Sequence, residues 1–345
     1  MADIFLRIVN MSISACWIVL AVMLLRIILK KAPKWVNCAL WGIAGLRLVM
    51  PFSFESVFSL VPSAETISKP VDSPRPQIES GFSVIDNQVN DYLQSNYFEG
   101  VTRPAVNFAD ITTILAVVWG IGIVALLIYT LISFLKLRSK IGTAVLLRDN
   151  IYQSEAVASP FVLGIIKPKI YLPFNINEQD MEHVIAHEHA HLRRKDHLWK
   201  PLGFLILTLH WFNPMVWLGY ILLCRDIELA CDERVVKELN NEQRADYSQA
   251  LLTCSVNRRM IGACPVAFGE VGVKDRVKSV LNYKKPAFWV VIVAIVMSIV
   301  AAVCFLTDPL KTTDILNGTY KFSDEIYFNG AYSYAPSVEN NRIVI

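Results

Sequence analysis

The chain has 345 residues, 54% of them hydrophobic and 18% charged, with a formal net charge of +3. An average soluble domain is about 45–50% apolar and about 25% charged. This composition therefore excludes a disordered chain, a coiled coil and a disulfide-stapled secreted module, and it argues against a purely cytosolic enzyme. The small net charge does not point to nucleic acid. The seven cysteines include no CxxC pair and read as reduced packing residues.

Residues 8–29 form the first long apolar run, with Arg26, Lys30, Lys31 and Lys34 at its end. A basic flank on the C-terminal side is the reverse of a secretory signal peptide, so the run reads as a membrane span. Residues 36–50 make a shorter second span, with Arg47 placed to snorkel toward the interface. Residues 111–135 and 287–306 are long enough to cross the roughly 30 Å hydrocarbon core. The connection between the first two spans is the most basic of the short ones, which places it in the cytoplasm and the N-terminus outside. Residues 53–110 carry three Lys/Arg against eight Asp/Glu, as expected of an external loop. Lys136, Arg138 and Lys140 mark the return to the cytoplasm, and Lys274, Arg276, Lys278, Lys284 and Lys285 precede the last, outward span.

The expected organisation is an α-helical multi-pass membrane protein with an α+β cytoplasmic domain. Two spans occupy 1–52, an extracellular loop 53–110, a third span 111–135, the cytoplasmic domain 136–286, a last span 287–306 and an extracellular tail 307–345. Residues 199–223 are apolar enough for a fifth span, but both flanks are basic. A broken hairpin fits better, one that dips into the bilayer or packs on protein and turns at Phe212-Asn213-Pro214.

Four short β-prone runs, 144–147, 151–157, 161–166 and 169–172, predict a small sheet ahead of the hairpin. An open edge of that sheet could take an extended polypeptide by strand addition, or the sheet could serve packing alone. A helix follows, with Asn177 as N-cap and Arg193, Arg194 and Lys195 at the negative end of its dipole. All six histidines fall in the 28 residues from His183 to His210. Among them is His187-Glu188-His189-Ala190-His191, the pattern H-E-x-x-H. On a helix, i and i+4 share a face, so His187 and His191 reach one zinc ion while Glu188 stands beside it as a general base. Asn213-Pro214 opens a second helix carrying Glu228 and Asp232, again i and i+4. Glu228 completes a His₂Glu set and Asp232 orients a ligand imidazole. The alternative is an exposed acidic face paired with Arg225 or Arg234. His183 is either another ligand or a solvated residue, His189 points off the metal face, and His197 reads as interfacial. His210 either donates to a tetrahedral oxyanion or holds the hairpin turn together.

These pieces resemble the BlaR/MecR family of integral-membrane zinc metallopeptidases. The likeness runs through Leu40-Trp41-Gly42, Arg47-Leu48 and Pro51. It continues in Ser159-Pro160-Phe161-Val162-Leu163-Gly164 with Lys167-Pro168 and Tyr171-Leu172-Pro173. H-E-x-x-H, His210-Trp211-Phe212-Asn213-Pro214, and Glu228 to Asp232 complete it, and Glu-x-x-x-Asp also resembles the endopeptidases that process prenylated proteins. The resemblance implies a zincin-like fold, Zn²⁺ on His187, His191 and Glu228, and Glu188 as base. It further implies an external signal transduced by cytoplasmic proteolysis, through self-cleavage and cutting of a DNA-binding repressor. Ala267-Phe268, by its place before the last span, resembles the self-cleavage bond. The partners implied are a protein substrate and the lipid bilayer, with a homodimer left open and no direct nucleic-acid contact. Family members that sense β-lactams carry a penicillin-binding domain with Ser-x-x-Lys after the last span. Here 39 residues follow Leu306 without that pattern, and Ser133-Phe134-Leu135-Lys136 lies at the end of a span. The tail reads as a small external β-module. The rival reading is a non-enzymatic membrane receptor or scaffold with a structural metal site, closed by His183.

Overall fold

The computed structural model describes residues 1–50, 54–62, 67, 78, 83–97, 108–256, 272–308, 337–339 and 342–344. The chain divides into two units, Met1–Pro309 and Leu310–Ile345. Of the second, the described part is an antiparallel strand pair, Ser337–Glu339 with Arg342–Val344.

In the first unit the longest apolar stretches become the longest helices. α1 (Ala2–Ile28), α4 (Phe108–Lys140) and α10 (Phe288–Leu306) are, among the described residues, the three helices long and apolar enough to cross a membrane. α2 (Lys34–Val49) covers the second expected span with 16 residues. It therefore rises only about 24 Å.

Residues 199–223 fold as a hairpin of α6 (Asp196–Leu209) and α7 (Pro214–Val236). The turn is the expected one: Pro214 takes the first helical position and Asn213 Oδ1 accepts from the Met215 amide at 2.8 Å. The hairpin packs on protein. Phe204, Leu207, Val216 and Tyr220 share one buried core with Ile18 and Val22 of α1, Leu40 and Trp41 of α2, and Ala294 of α10. Gly219 admits the Trp41 ring, which would stand 3.2 Å from a Cβ at that position. Trp199, Leu202, Leu205 and Leu218 remain exposed on the other side, as lipid contact would demand. The turn reaches the far end of α2, where His210 Nε2 meets the Leu48 carbonyl at 3.1 Å. Asn213 Nδ2 donates to Ser12 Oγ of α1 at 2.7 Å, and Trp119 of α4 donates to the Leu209 carbonyl at 2.8 Å.

At that same end of α2, Arg47 forms a buried ion pair with Asp308. Asp308 belongs to a two-residue strand (Thr307–Asp308) that continues α10 and pairs in parallel with Phe54–Glu55. The loop expected over 53–110 also contains a helix, α3 (Ser83–Tyr97).

The four β-prone runs do form one sheet. Its strands are Val145–Arg148, Ile151–Gln153, Phe161–Leu163 and Lys169–Leu172, and the first and third are its edges. The second run is shorter than expected because the chain turns at Ser154, whose carbonyl accepts from the Val157 amide. Ile151, Ile170 and Leu172 pack against Val184 and Ile185 of α5 (Glu178–Arg194), which lays that helix on the sheet. Asn177 is the N-cap residue of α5, but its carbonyl rather than its side chain makes the first bonds, to the amides of Asp180 and Met181. α8 (Asn241–Val256) and α9 (Val273–Leu281) complete the unit.

Candidate metal centre

α5 and α7 pack side by side, so the i, i+4 pair of one helix faces that of the other. The Nε2 atoms of His187 and His191 lie 3.2 Å apart. Glu228 Oε2 is 3.3 Å from His187 Nε2, and Oε1 is 3.4 Å from His191 Nε2. A tetrahedral ion with bonds near 2.0–2.1 Å has donor–donor edges of about 3.3–3.4 Å. The two nitrogens and the carboxylate are thus close enough to hold one zinc ion, a different Glu228 oxygen facing each nitrogen.

The other nitrogen of each imidazole is already engaged. His187 Nδ1 faces Tyr247 Oη at 2.9 Å and Asp232 Oδ1 at 3.2 Å, while Tyr247 donates to Asp232 Oδ1 at 2.7 Å. With that hydroxyl proton committed, Tyr247 Oη accepts from His187 Nδ1–H. His191 Nδ1 meets Asp196 Oδ2 at 2.9 Å. Both Nε2 lone pairs are therefore turned toward Glu228, and three acceptors converge where only a cation relieves them. In the protein by itself a proton on His191 serves together with the Lys200 and Arg276 side chains. Burial opposes charge on His191, but Cys231, Glu228 and the Asp196 bond override it and hold the imidazole well above its ordinary pKa.

Two cations flank Glu228. Lys200 Nζ donates to Oε1 at 2.8 Å, and Arg276 Nη1 lies 3.3 Å from Oε2. Arg276 also grips Asp232 with two bonds of 2.7 Å and places Nη2 at 3.1 Å from His187 Nε2. A guanidinium and a metal cannot share one lone pair, so ion binding requires Nη2 to turn while the Nε bond to Asp232 stays. Burial pushes the Glu228 carboxyl up, but Lys200, His191 and Arg276 hold it well below the usual carboxylate range. Asp232 is likewise held low by Arg276 against burial. The pairing with Arg225 or Arg234 considered for these carboxylates is not what forms, since Arg225 instead pairs with Asp275 of α9.

Glu188 is buried on the same helix and lines a cleft with Pro160, His183, Val184, His187, Tyr247 and Leu251. His183 lies outside the donor group, its ring meeting the edge of Tyr247 at 6.1 Å. His210 lies at the opposite end of α6 from Asp196, bonded to Leu48. That is the turn-holding role, and it leaves no reach to an oxyanion at the metal. Ala267 and Phe268 lie outside the described residues.

Sequence reasoning missed five participants. Asp196 reaches back to His191 because Lys195, at φ 60°, takes a left-handed conformation and reverses the chain between α5 and α6. Lys200 and Arg276 carry the charges that read as basic flanks. Tyr247 sits on α8, whose start is signalled by a capping box: Gln243 N donates to Asn240 Oδ1 at 2.8 Å and Asn240 N to Gln243 Oε1 at 3.0 Å. Cys231 is packed on the ligand shell, its Sγ 3.1 Å from Asp196 Oδ2 and 3.2 Å from His191 Nδ1.

A family model described as BlaR1 peptidase M56 matches residues 6–280. The methicillin resistance mecR1 protein of Staphylococcus aureus (strain Mu50 / ATCC 700699) is 28% identical over 142 residues, 39% of this chain and 24% of that protein. The regulatory protein BlaR1 of Bacillus licheniformis is 27% identical over 195 residues, 48% of this chain and 32% of that protein. BlaR1 of Staphylococcus aureus is 21% identical over 269 residues, 71% of this chain and 45% of that protein. The chain thus spans less than half the length of each of these relatives.

Proposed function

The chain belongs to the BlaR1 peptidase M56 family, and from that premise we propose that it is a membrane-embedded zinc endopeptidase of zincin-like fold, transducing an external signal by proteolysis at the cytoplasmic face. The observation that carries the reading is the convergence of His187 Nε2, His191 Nε2 and the Glu228 carboxylate within 3.2–3.4 Å of one another, beside a cleft lined by Glu188.

His187, His191 and Glu228 would hold a zinc ion, which would supply Lewis-acid polarisation of the scissile carbonyl and of the attacking water. Glu188 takes the proton from that water and delivers it to the departing amine. Asp232 and Tyr247 hold His187, and Asp196 holds His191, each with Nε2 toward the metal. The edge strand Phe161–Leu163 follows Pro160, itself a wall of the cleft, and is the edge to which an extended peptide would add. The Val184 and Leu251 surfaces of the cleft suit an apolar side chain of that peptide. The substrates are the chain itself, at Ala267-Phe268, and a DNA-binding repressor, with both termini outside the cell.

The test uses the full chain in detergent or vesicles, with zinc measured by elemental analysis and fragments followed on gels and by N-terminal sequencing. Glu188→Gln retains zinc and loses cleavage by about 10²–10⁴-fold; an unchanged rate removes Glu188 as the base. Ala267→Arg blocks self-processing with Glu188 intact, and fragments beginning elsewhere remove that bond from the reading.

A further inference from the structure

α7 has two polar stripes, and only one belongs to the metal centre. Glu228 and Asp232 face α5, α8 and α9. Asp226 and Glu233, seven residues apart and so also on one face, are turned toward α1 and α2. Asp226 is 0% exposed. Arg26 Nε reaches its two oxygens at 3.0 and 2.7 Å, and Arg26 Nη2 reaches Oδ1 at 2.8 Å. Trp41 Nε1 donates to Oδ2 at 2.9 Å. About two turns further on, Glu233 Oε2 accepts from the Lys34 amide at the start of α2.

We infer that Arg26 and Trp41, acting through Asp226, are positioning residues that set the rotation of α7 and with it the placement of Glu228 against the two histidines. The inference rests on the metal-centre reading above and deepens it. Asp226 and Glu228 are two residues apart, so their side chains leave the helix about 200° from each other. Fixing one fixes the other. A side-chain terminus lies about 5–6 Å from the helix axis, so a 20° rotation displaces it by about 2 Å. That is the length of a zinc–ligand bond. The apolar packing of α7 on α2, with the Trp41 ring seated against Gly219, restrains such a rotation by shape, and the bonds to Asp226 add a directional restraint on the same face. A charge-assisted, two-pronged contact with an indole N–H on the same carboxylate defines an angle. The third metal ligand is thereby set by groups on the first two helices of the chain.

The experiment measures zinc affinity by chelator competition, together with thermal unfolding, for the full chain in detergent. Asp226→Asn keeps the shape but removes the negative charge and one of the two acceptor oxygens, and Arg26→Gln removes the fork from a side chain that is already 21% exposed. Each is expected to weaken zinc binding about 10–100-fold, the range for residues that orient ligands. Arg26→Lys is expected to recover part of the loss, and Trp41→Phe to cost less. If Asp226→Asn fails to fold, Arg26→Gln and Trp41→Phe decide the matter by the same readout. Wild-type zinc affinity in folded Asp226→Asn or Arg26→Gln, while Glu228→Ala loses zinc, overturns the positioning role and leaves the metal centre standing. Wild-type affinity in Glu228→Ala overturns the metal-centre reading itself.

Discussion

The two ends of the α6–α7 hairpin both bury polar side chains against other helices, and they are wired in opposite ways. At the turn, single donors meet single helices: His210 Nε2 meets the Leu48 carbonyl, Asn213 Nδ2 meets Ser12, and Asn213 Oδ1 takes the Met215 amide, while His210 Nδ1 is buried without a hydrogen-bond partner among the described residues. At the other end, two imidazole lone pairs and a carboxylate converge while their outer atoms are already satisfied. Matched polar groups hold a fold together. Converging acceptors need positive charge, which Lys200 and Arg276 supply here, and a cluster of that kind, unlike isolated pairs, offers a metal ion several donors at once. Histidines at both ends look alike as letters in a sequence.

Mutation at each end breaks the comparison in a graded way. Glu228→Ala removes a converging acceptor and should weaken zinc binding by more than about 100-fold. Full occupancy by elemental analysis would show that another group completes the set. Tyr247→Phe and Asp196→Asn leave the acceptors in place but free an imidazole to turn, for losses of about 10–100-fold by chelator competition. Acidity tests the same end. His191 is held above its ordinary pKa and so carries a proton near neutrality in the metal-free protein. Zinc must displace that proton, so affinity should rise with pH, with about one proton released per ion near pH 7 by calorimetry in buffers of different ionisation heat. The smallest effect on the metal belongs to the turn. Asn213→Ala should leave zinc affinity unchanged and lower unfolding stability by about 0.5–2 kcal/mol, the cost of a lost helix cap.

Period and capping made the two site helices legible. His187 and His191 announced α5, Asn213-Pro214 announced α7, and the i, i+4 placement of Glu228 and Asp232 said which face would turn inward. The sheet was readable from its β-prone runs. The supporting groups were not, for different physical reasons. Lys200 and Arg276 counted as basic flanks because a charge tally does not distinguish a solvated cation from one wedged against a carboxylate. Asp196 depended on a left-handed backbone at a lysine, which no residue preference announces. Tyr247 lies on a helix whose start was signalled by Asn240 and Gln243, but its aim at His187 is set by tertiary packing alone. α3 carries Ile85, Val89, Tyr92 and Leu93 at helical spacing, a stripe passed over because the segment was read only for its charge.

The ion pair between Arg47 and Asp308 has a mechanical meaning. α10 passes directly into the strand that carries Asp308, and that aspartate is clamped to the last turn of α2. One residue further along α2, the Leu48 carbonyl holds the hairpin turn, and Trp41 holds the middle of α7. Asp308 is thus joined through one short helix to the hairpin at two points, its turn and the middle of α7.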